Sequence, residues 1–546
     1  MTPALVLVLH AHLPFIRHPE HEVFYEENWF YDAITETYAP VLWALHEAEA
    51  RGHDPRLTMS ITPPLLSMMS DELLMSRYGR FLENRLTLIE KEIARARREG
   101  HSEELQLALF YLERYTKIRE TVMARAGGKL ASAFAELADA GILEIITCAA
   151  THGFLPLMQA WPGSVRAQLE VGVRTHRRLL GRHPRGIWLP ECAWFPGLDE
   201  ELARLGIEFF FVDTHGLVNG DPYPKYDVYA PVVTPRGLCA FARDPLSSAQ
   251  VWSSESGYPG NPAYREFYRD LGWDREFDYI KDHILPDGAR VNTGLKYRAV
   301  TGKTNRKAYY DPFKADLQAH AHANHFVLTR LDHARRLADR FGRRPVVTAP
   351  FDAELFGHWW FEGPTFLREV FNEIHRTEGA IKAWTAAEIV DSGESLQEVT
   401  PSASTWGAGG YHSVWLNPEN HTLQIHYEEI HRRMNTLARM APTLTGDRLR
   451  AARQAAREAL LAQASDWAFL ITKGTATEFS RRQVATHIRD FLATETMART
   501  GRIDEDQLSE IEDRDNVFPD IDPAWFLPAA SGASSADAAS ASRAGD

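Results

Sequence analysis

Cysteine is scarce in this chain. Three residues, Cys148, Cys192 and Cys239, stand among 546, an odd number that cannot close a disulfide framework. Two of them lie in apolar stretches where a small hydrophobic side chain belongs, so a reducing, cytoplasmic setting is the expectation. Long hydrophobic runs are also missing: none reaches the roughly 18 residues of a membrane span. The apolar opening 4–9 has neither a basic leader nor a small-residue cleavage site and passes straight into His10-Ala11-His12, so it reads as a strand rather than a signal peptide. No sustained basic run is present, and the formal net charge is −14. A polyanion would be repelled over most of such a surface, which argues against nucleic acid as partner, as the lack of a spanning run argues against a membrane.

What is present is ordinary globular composition, 44% apolar and 25% charged, in a chain long enough for two or three domains. Short apolar, β-branched or aromatic runs recur at 4–9, 57–61, 143–147, 186–189, 207–212, 238–242, 346–349 and 380–384. Continuous apolarity suggests strands buried on both faces, and alternation with helical patterns such as 31–50 and 196–205 predicts a parallel sheet. Seven or eight such units suggest a closed α/β barrel. A polar residue follows nearly every run: His10, Thr62, His152, Glu191, Asp213, Arg243 and Asp352. The C-terminal ends of its strands are where a barrel builds its active site.

Residues 70–138 carry helical spacing and no strand signal, which predicts a helical subdomain inserted in the barrel. From Asn417 onward the pattern is helical, with members expected at 421–440, 447–471 and 478–498. The expected division is a catalytic barrel over 1–400, a helical C-terminal domain over 401–527 and a disordered Ser/Ala-rich tail over 528–546.

The segment Trp188-Leu189-Pro190-Glu191 ends a buried strand in a carboxylate. Taken alone, Glu191 has as its lesser alternative the capping of a helix or a pairing with a surface cation. Asp352 changes the balance, because it too ends an apolar strand and is followed by the aromatic-rich Phe356-Gly357-His358-Trp359-Trp360. Two carboxylates on separate barrel strands can face each other across a substrate, the arrangement that glycosidic chemistry requires. Which of the two keeps the raised pKa is not readable from the sequence, although Asp352 has the more apolar neighbourhood.

The segments His10-Ala11-His12-Leu13-Pro14, Ala150-Thr151-His152-Gly153, Trp188-Leu189-Pro190-Glu191 and Asp352-Ala353-Glu354-Leu355-Phe356-Gly357-His358-Trp359-Trp360 resemble the ordered motifs of glycoside hydrolase family 57. The similarity runs to about residue 527, takes in Ala464-Ser465-Asp466-Trp467 and Arg514-Asp515-Asn516, and is closest to the family's 1,4-α-glucan branching enzymes. The resemblance implies a distorted (β/α)7 barrel with a helical insertion and an all-helical C-terminal domain. It also implies a retaining double displacement on α-1,4-glucan with no metal and no cofactor. By the same resemblance Glu191 falls on the nucleophile and Asp352 on the general acid/base, while Arg243, Gly260, Trp406 and Asp466 match glucan-contacting positions. Tyr226, in a Gly- and Pro-containing stretch over 213–230, resembles a loop tyrosine that would act as a lid against water.

His10 and His152 have the chemistry to hydrogen-bond sugar hydroxyls, although satisfied structural histidines are the alternative. Trp29, Trp252, Trp406 and Trp415 offer faces on which a glucose ring could stack, although a lone tryptophan is more often core; Trp406 lies in the glycine-rich 404–410, too flexible for a packed element. A rival of another class is a metal-dependent, deacetylase-like hydrolase using His10, His12, His152, Asp213 and His215 as ligands. Within the glucan reading, α-amylase or 4-α-glucanotransferase activity is the alternative to branching, and a non-catalytic glucan-binding protein is a third reading. Nothing in the sequence specifies an oligomeric state.

Overall fold

The computed structural model describes residues 2–252 and 257–528. The tail expected to be disordered lies, apart from residue 528, outside the described residues.

Among the described residues nine strands form one sheet: β1 (Ala4–Ala11), β2 (Leu57–Ile61), β3 (Leu143–Cys148), β4 (Gly186–Trp188), β5 (Phe209–Val212), β6 (Val232–Val233), β7 (Cys239–Ala242), β8 (Val346–Asp352) and β9 (Lys382–Ala383). Their order is β6-β7-β5-β4-β3-β2-β1-β8, and seven of them, β7 through β8 along that path, run parallel. All eight residues of β1 and the first six of β8 are buried, as expected of strands covered on both faces. The curl closes at a narrow seam, where Arg243 and Thr348 form an isolated parallel bridge and the Asp244 N–H donates to the Thr348 carbonyl at 2.8 Å. Arg330 and Asp244, paired at 2.9 Å and both buried, brace the seam from behind.

The parallel barrel strands therefore number seven. The expected strand at 380–384 is only the two-residue β9, which pairs with Ala4 and Leu5 at the start of β1, whereas β2 pairs with residues 8–11 farther along the same strand. β1 and β8 are longer than their apolar runs suggested, so His10 lies inside β1 and Asp352 is the last residue of β8 rather than the first beyond it.

Between β2 and β3 the helices Glu72–Glu99 and Ser102–Arg119 pack on each other before Leu130–Asp139 leads into β3. The first is delimited by its ends: the Asp71 carboxylate accepts the Leu74 N–H, and Gly100 takes the left-handed conformation that stops it. Beyond β9 the chain is helical, with Thr422–Met440, Gly446–Ala462, Ser465–Lys473, Thr477–Thr500 and Glu505–Arg514. The single helix expected over 447–471 is two. The helix itself is interrupted at Gln463–Ala464, where Ala464 bridges Gly153 beyond β3 and the Ser465 N–H donates to the His152 carbonyl at 3.1 Å. Contact with the barrel wins over local helical propensity there.

Candidate active site

The C-terminal ends of β1, β3, β4, β5, β7 and β8 bring His10, His12, His152, Glu191, Asp213, Arg243 and Asp352 to one mouth. Glu191 sits there in strain: with φ 61° and ψ 23° it adopts the left-handed conformation, as do Cys192 (φ 51°) and His152 (φ 60°). For residues other than glycine this costs about 1–3 kcal/mol each, a pattern concentrated at working sites. The surrounding contacts hold the strain in place. The Trp406 N–H donates to the Glu191 carbonyl at 3.1 Å and its indole Nε1–H donates to Oε2 at 3.0 Å, while the Ser465 hydroxyl donates to Oε1 at 2.8 Å.

A directed chain of hydrogen bonds runs into that carboxylate. Ser465 donates to Glu191, so its oxygen accepts from His152 Nδ1–H at 2.8 Å, which leaves His152 Nε2 to accept from His10 Nε2–H at 3.0 Å. Both imidazoles are held neutral. Burial, assisted by His12, drives the His10 and His152 pKa values well below the ordinary value, and His10 adds to the effect on His152. His12 is the opposite case. Burial pulls it down, but Asp466, whose carboxylate lies 3.0 Å from His12 Nε2, together with Glu354 and Glu191, leaves it raised overall.

The two expected carboxylates differ in environment. Burial raises the Glu191 pKa, while the bonds from Trp406 and Ser465 work against that rise. Asp352 is raised well above the carboxylate range by burial and by its negative neighbours Glu354 and Glu191, with Arg243 opposing. Asp352 faces His10 in the β1–β8 register. Glu354 in turn accepts from the His12 N–H at 3.2 Å and from the Tyr38 hydroxyl. Burial pushes both acids up, and at Asp352 two carboxylate neighbours add to it.

Arg243 donates to Asp213 Oδ2 at 3.1 Å, and its guanidinium lies 5.9 Å from the rings of both Trp252 and Trp406. Its Nε is buried with no partner among the described residues. Asp213, Thr214, Arg243, Pro245, Ser248, Ala249 and Trp252 line a cleft of about 410 Å³ beside Trp406. Asp466 reaches the mouth through His12, and Gly260 ends the turn Tyr258–Gly260, tied by the Tyr258 hydroxyl to His325 at 2.8 Å.

Three expected residues are engaged by protein neighbours. Trp415 is 2% exposed and stacked on Phe154 at 4.3 Å, a core position. Trp29 packs edge-on to Phe479 at 5.3 Å, on a helix that faces the C-terminal segment. Tyr226 rests against Phe341 at 5.5 Å and under Arg343 at 4.7 Å, beside residues that lead into the N-terminal end of β8. Asp352 closes the other end of that strand, seven residues and roughly 20 Å away along it. The 213–230 stretch is also tethered, by paired backbone bonds of Asp221 with Thr400 and by Lys225 N–H to Gln397. A mobile lid headed by Tyr226 is not what the chain builds.

The proposed metal set is divided as well. Asp213 and His215 pair at 3.2 Å and His215 Nε2–H donates to the Gly410 carbonyl, whereas the donors near His12 and His152 include Asp466 instead. The N–H edge of Trp406 is engaged by Glu191, which leaves the ring face for a ligand. Ser465 and Glu354 went unassigned in the sequence. Ser465 lies in the quoted Ala464-Ser465-Asp466-Trp467 motif, but a serine within helical periodicity carries no visible sign of being at a helix start.

Fold and mouth together define an α/β-barrel enzyme whose catalytic end gathers carboxylates, neutral histidines and an indole. The chain belongs to glycosyl hydrolase family 57: that family's profile matches residues 6–340, and a second, described as 1,4-alpha-glucan branching enzyme, C-terminal, matches residues 426–526. A 1,4-α-glucan branching enzyme of Thermococcus kodakarensis is 32% identical, covering 94% of this chain and 77% of its own. A probable 1,4-α-glucan branching enzyme of Mycobacterium tuberculosis is 31% identical over 88% of this chain and 89% of its own. Among solved structures, the α-amylase AmyC of Thermotoga maritima superimposes with a TM-score of 0.91 at 44% identity, covering 96% of this chain and 99% of its own. The branching enzyme of Pyrococcus horikoshii superimposes with a TM-score of 0.86 at 32% identity, over 96% and 97%.

Proposed function

We propose that this protein is a 1,4-α-glucan branching enzyme working by retaining double displacement. Ionised Glu191 attacks the anomeric carbon of an α-1,4-linked glucose, the glycosidic bond breaks, and the departing O4 takes the proton carried by Asp352. Asp352, now a carboxylate, removes the proton of an acceptor 6-hydroxyl as that oxygen attacks the glycosyl-enzyme, and Glu191 leaves as a carboxylate. Ser465 and Trp406 stabilise the negative charge on Glu191 before attack and after release. Arg243, Trp252 and the face of Trp406 bind glucan in the adjoining cleft, Gly260 makes a further glucan contact, and Asp466 orients His12. The reaction uses side chains alone. Three free, buried cysteines favour a cytoplasmic setting.

One observation carries the choice of branching. Ser465 and Asp466 complete the mouth, and they belong to the helical region 401–527, read here as a domain, which carries the match named for branching enzymes. Hydrolysis is the second reading, favoured by the likeness to an α-amylase and by a Tyr226 that takes no part in the mouth. Incubation with amylose separates them. Chains released by an α-1,6-specific debranching enzyme, with few new reducing ends, are expected; many reducing ends and no releasable branches would make the protein an amylase.

A further inference from the structure

Trp359 is 54% exposed, unusual for so large an apolar ring, while its neighbour Trp360 is buried at 1%. It stands on the segment after β8, on the same end of the barrel as Asp352. Its N–H donates to the Glu354 carbonyl at 3.1 Å, and the Glu354 side chain holds the backbone of His12. The backbone beneath it has little freedom. Gly357 has φ 133°, and a Cβ there would lie 1.8 Å from the Glu36 carbonyl oxygen, so the turn presses directly on its support. One face of the indole is covered by Phe267, stacked at 4.6 Å with 27° between planes.

A polar atom stands beside this platform. The His358 ring lies 5.1 Å from Trp359 at nearly right angles, and its Nδ1–H donates to Glu36 at 2.8 Å. Burial would raise Glu36, but Arg265, paired with it at 2.7 Å, and His358 hold it well below the carboxylate range, so the acceptor is a fixed anion. Anchored on one nitrogen, the imidazole has its Nε2 without a protein partner among the described residues, and the side chain is 24% exposed. A rigid open aromatic face flanked by an oriented imidazole nitrogen matches a pyranose ring, which offers C–H groups on its face and hydroxyls at its edge.

We infer that Trp359 and His358 form a remote sugar subsite, at which a glucose unit of the α-glucan chain stacks away from the bond being broken. This rests on the glucan reading above and extends it to the rim of the mouth. A rigid ring loses little conformational freedom on binding, so the subsite adds to affinity for long chains rather than to chemistry at the reacting bond.

The test is amylose binding by affinity electrophoresis in the Glu191→Gln background, which removes turnover. Trp359→Ala is expected to weaken binding about fivefold to tenfold, the scale of one aromatic stacking contact. Trp359→Phe should retain most of the affinity, and His358→Ala should lower it. Phe313→Ala, which removes another exposed ring (71%) on a separate helix, should leave it unchanged. Binding by Trp359→Ala equal to that of Phe313→Ala overturns the subsite while leaving the glucan reading intact. Absence of amylose binding in Glu191→Gln itself overturns both.

Discussion

Ser465 donates its hydroxyl proton to Glu191 Oε1 at 2.8 Å. Because the same oxygen accepts from His152, the serine can point its proton only at the carboxylate. Removing it takes one bond from a charged group, about 1.5–3 kcal/mol, so Ser465→Ala is expected to lower kcat/KM roughly 10- to 100-fold. The Glu191 pKa loses an opposing influence and rises further, so the acidic limb of the kcat/KM profile should move to higher pH. Parallel loss at every pH, with the limb unmoved, would mean that Ser465 acts by packing alone.

Glu191→Gln keeps the shape of the side chain and one acceptor oxygen for the Trp406 indole, losing only the bond accepted from Ser465, so it should fold normally. Turnover should drop by roughly three orders of magnitude or more, as expected when a covalent nucleophile is removed. Wild-type rates in a folded variant would dismiss the assignment.

Glu354 is one of the negative neighbours that keep Asp352 protonated. In Glu354→Gln that repulsion is gone, the Asp352 pKa falls, and the proton is lost at lower pH. The alkaline limb of the kcat/KM profile should therefore shift to lower pH, while the acidic limb moves little. A shift to higher pH would contradict the role given to Asp352.

Tyr226→Ala should leave the ratio of transfer to hydrolysis unchanged, since the ring packs on Phe341 and Arg343 near the start of β8. It should instead cost roughly 1 kcal/mol of stability through the lost cation–π and packing contacts, seen in the denaturant midpoint. A rise in reducing ends relative to branches would restore the lid.

The parts of this site that lie at strand ends were legible in the sequence, because burial on both faces leaves an unmistakable apolar run and the first polar residue beyond it marks the mouth. Glu191, His152, Arg243 and Asp352 were read in this way. Ser465 was hidden because the helical repeat passes through 447–471 without a break, and the interruption comes from backbone bonds to His152 and Gly153, some 300 residues away. Trp415 and Trp406 show the same limit. They flank the same glycine-rich 407–410, yet one is core and the other holds Glu191, a difference set by which partner each meets. Tyr226 failed for a related reason: glycine and proline mark a turn, but not the end of the barrel to which the turn runs.

The late arrival of Ser465 and Asp466 gives the chain an order in time. Glu191 leaves the ribosome well before the helix that supplies its donor, so a growing chain can lay down most of the barrel while its nucleophile is still incompletely set. Competence to cut a polymer then waits until synthesis has passed Ser465 and Asp466.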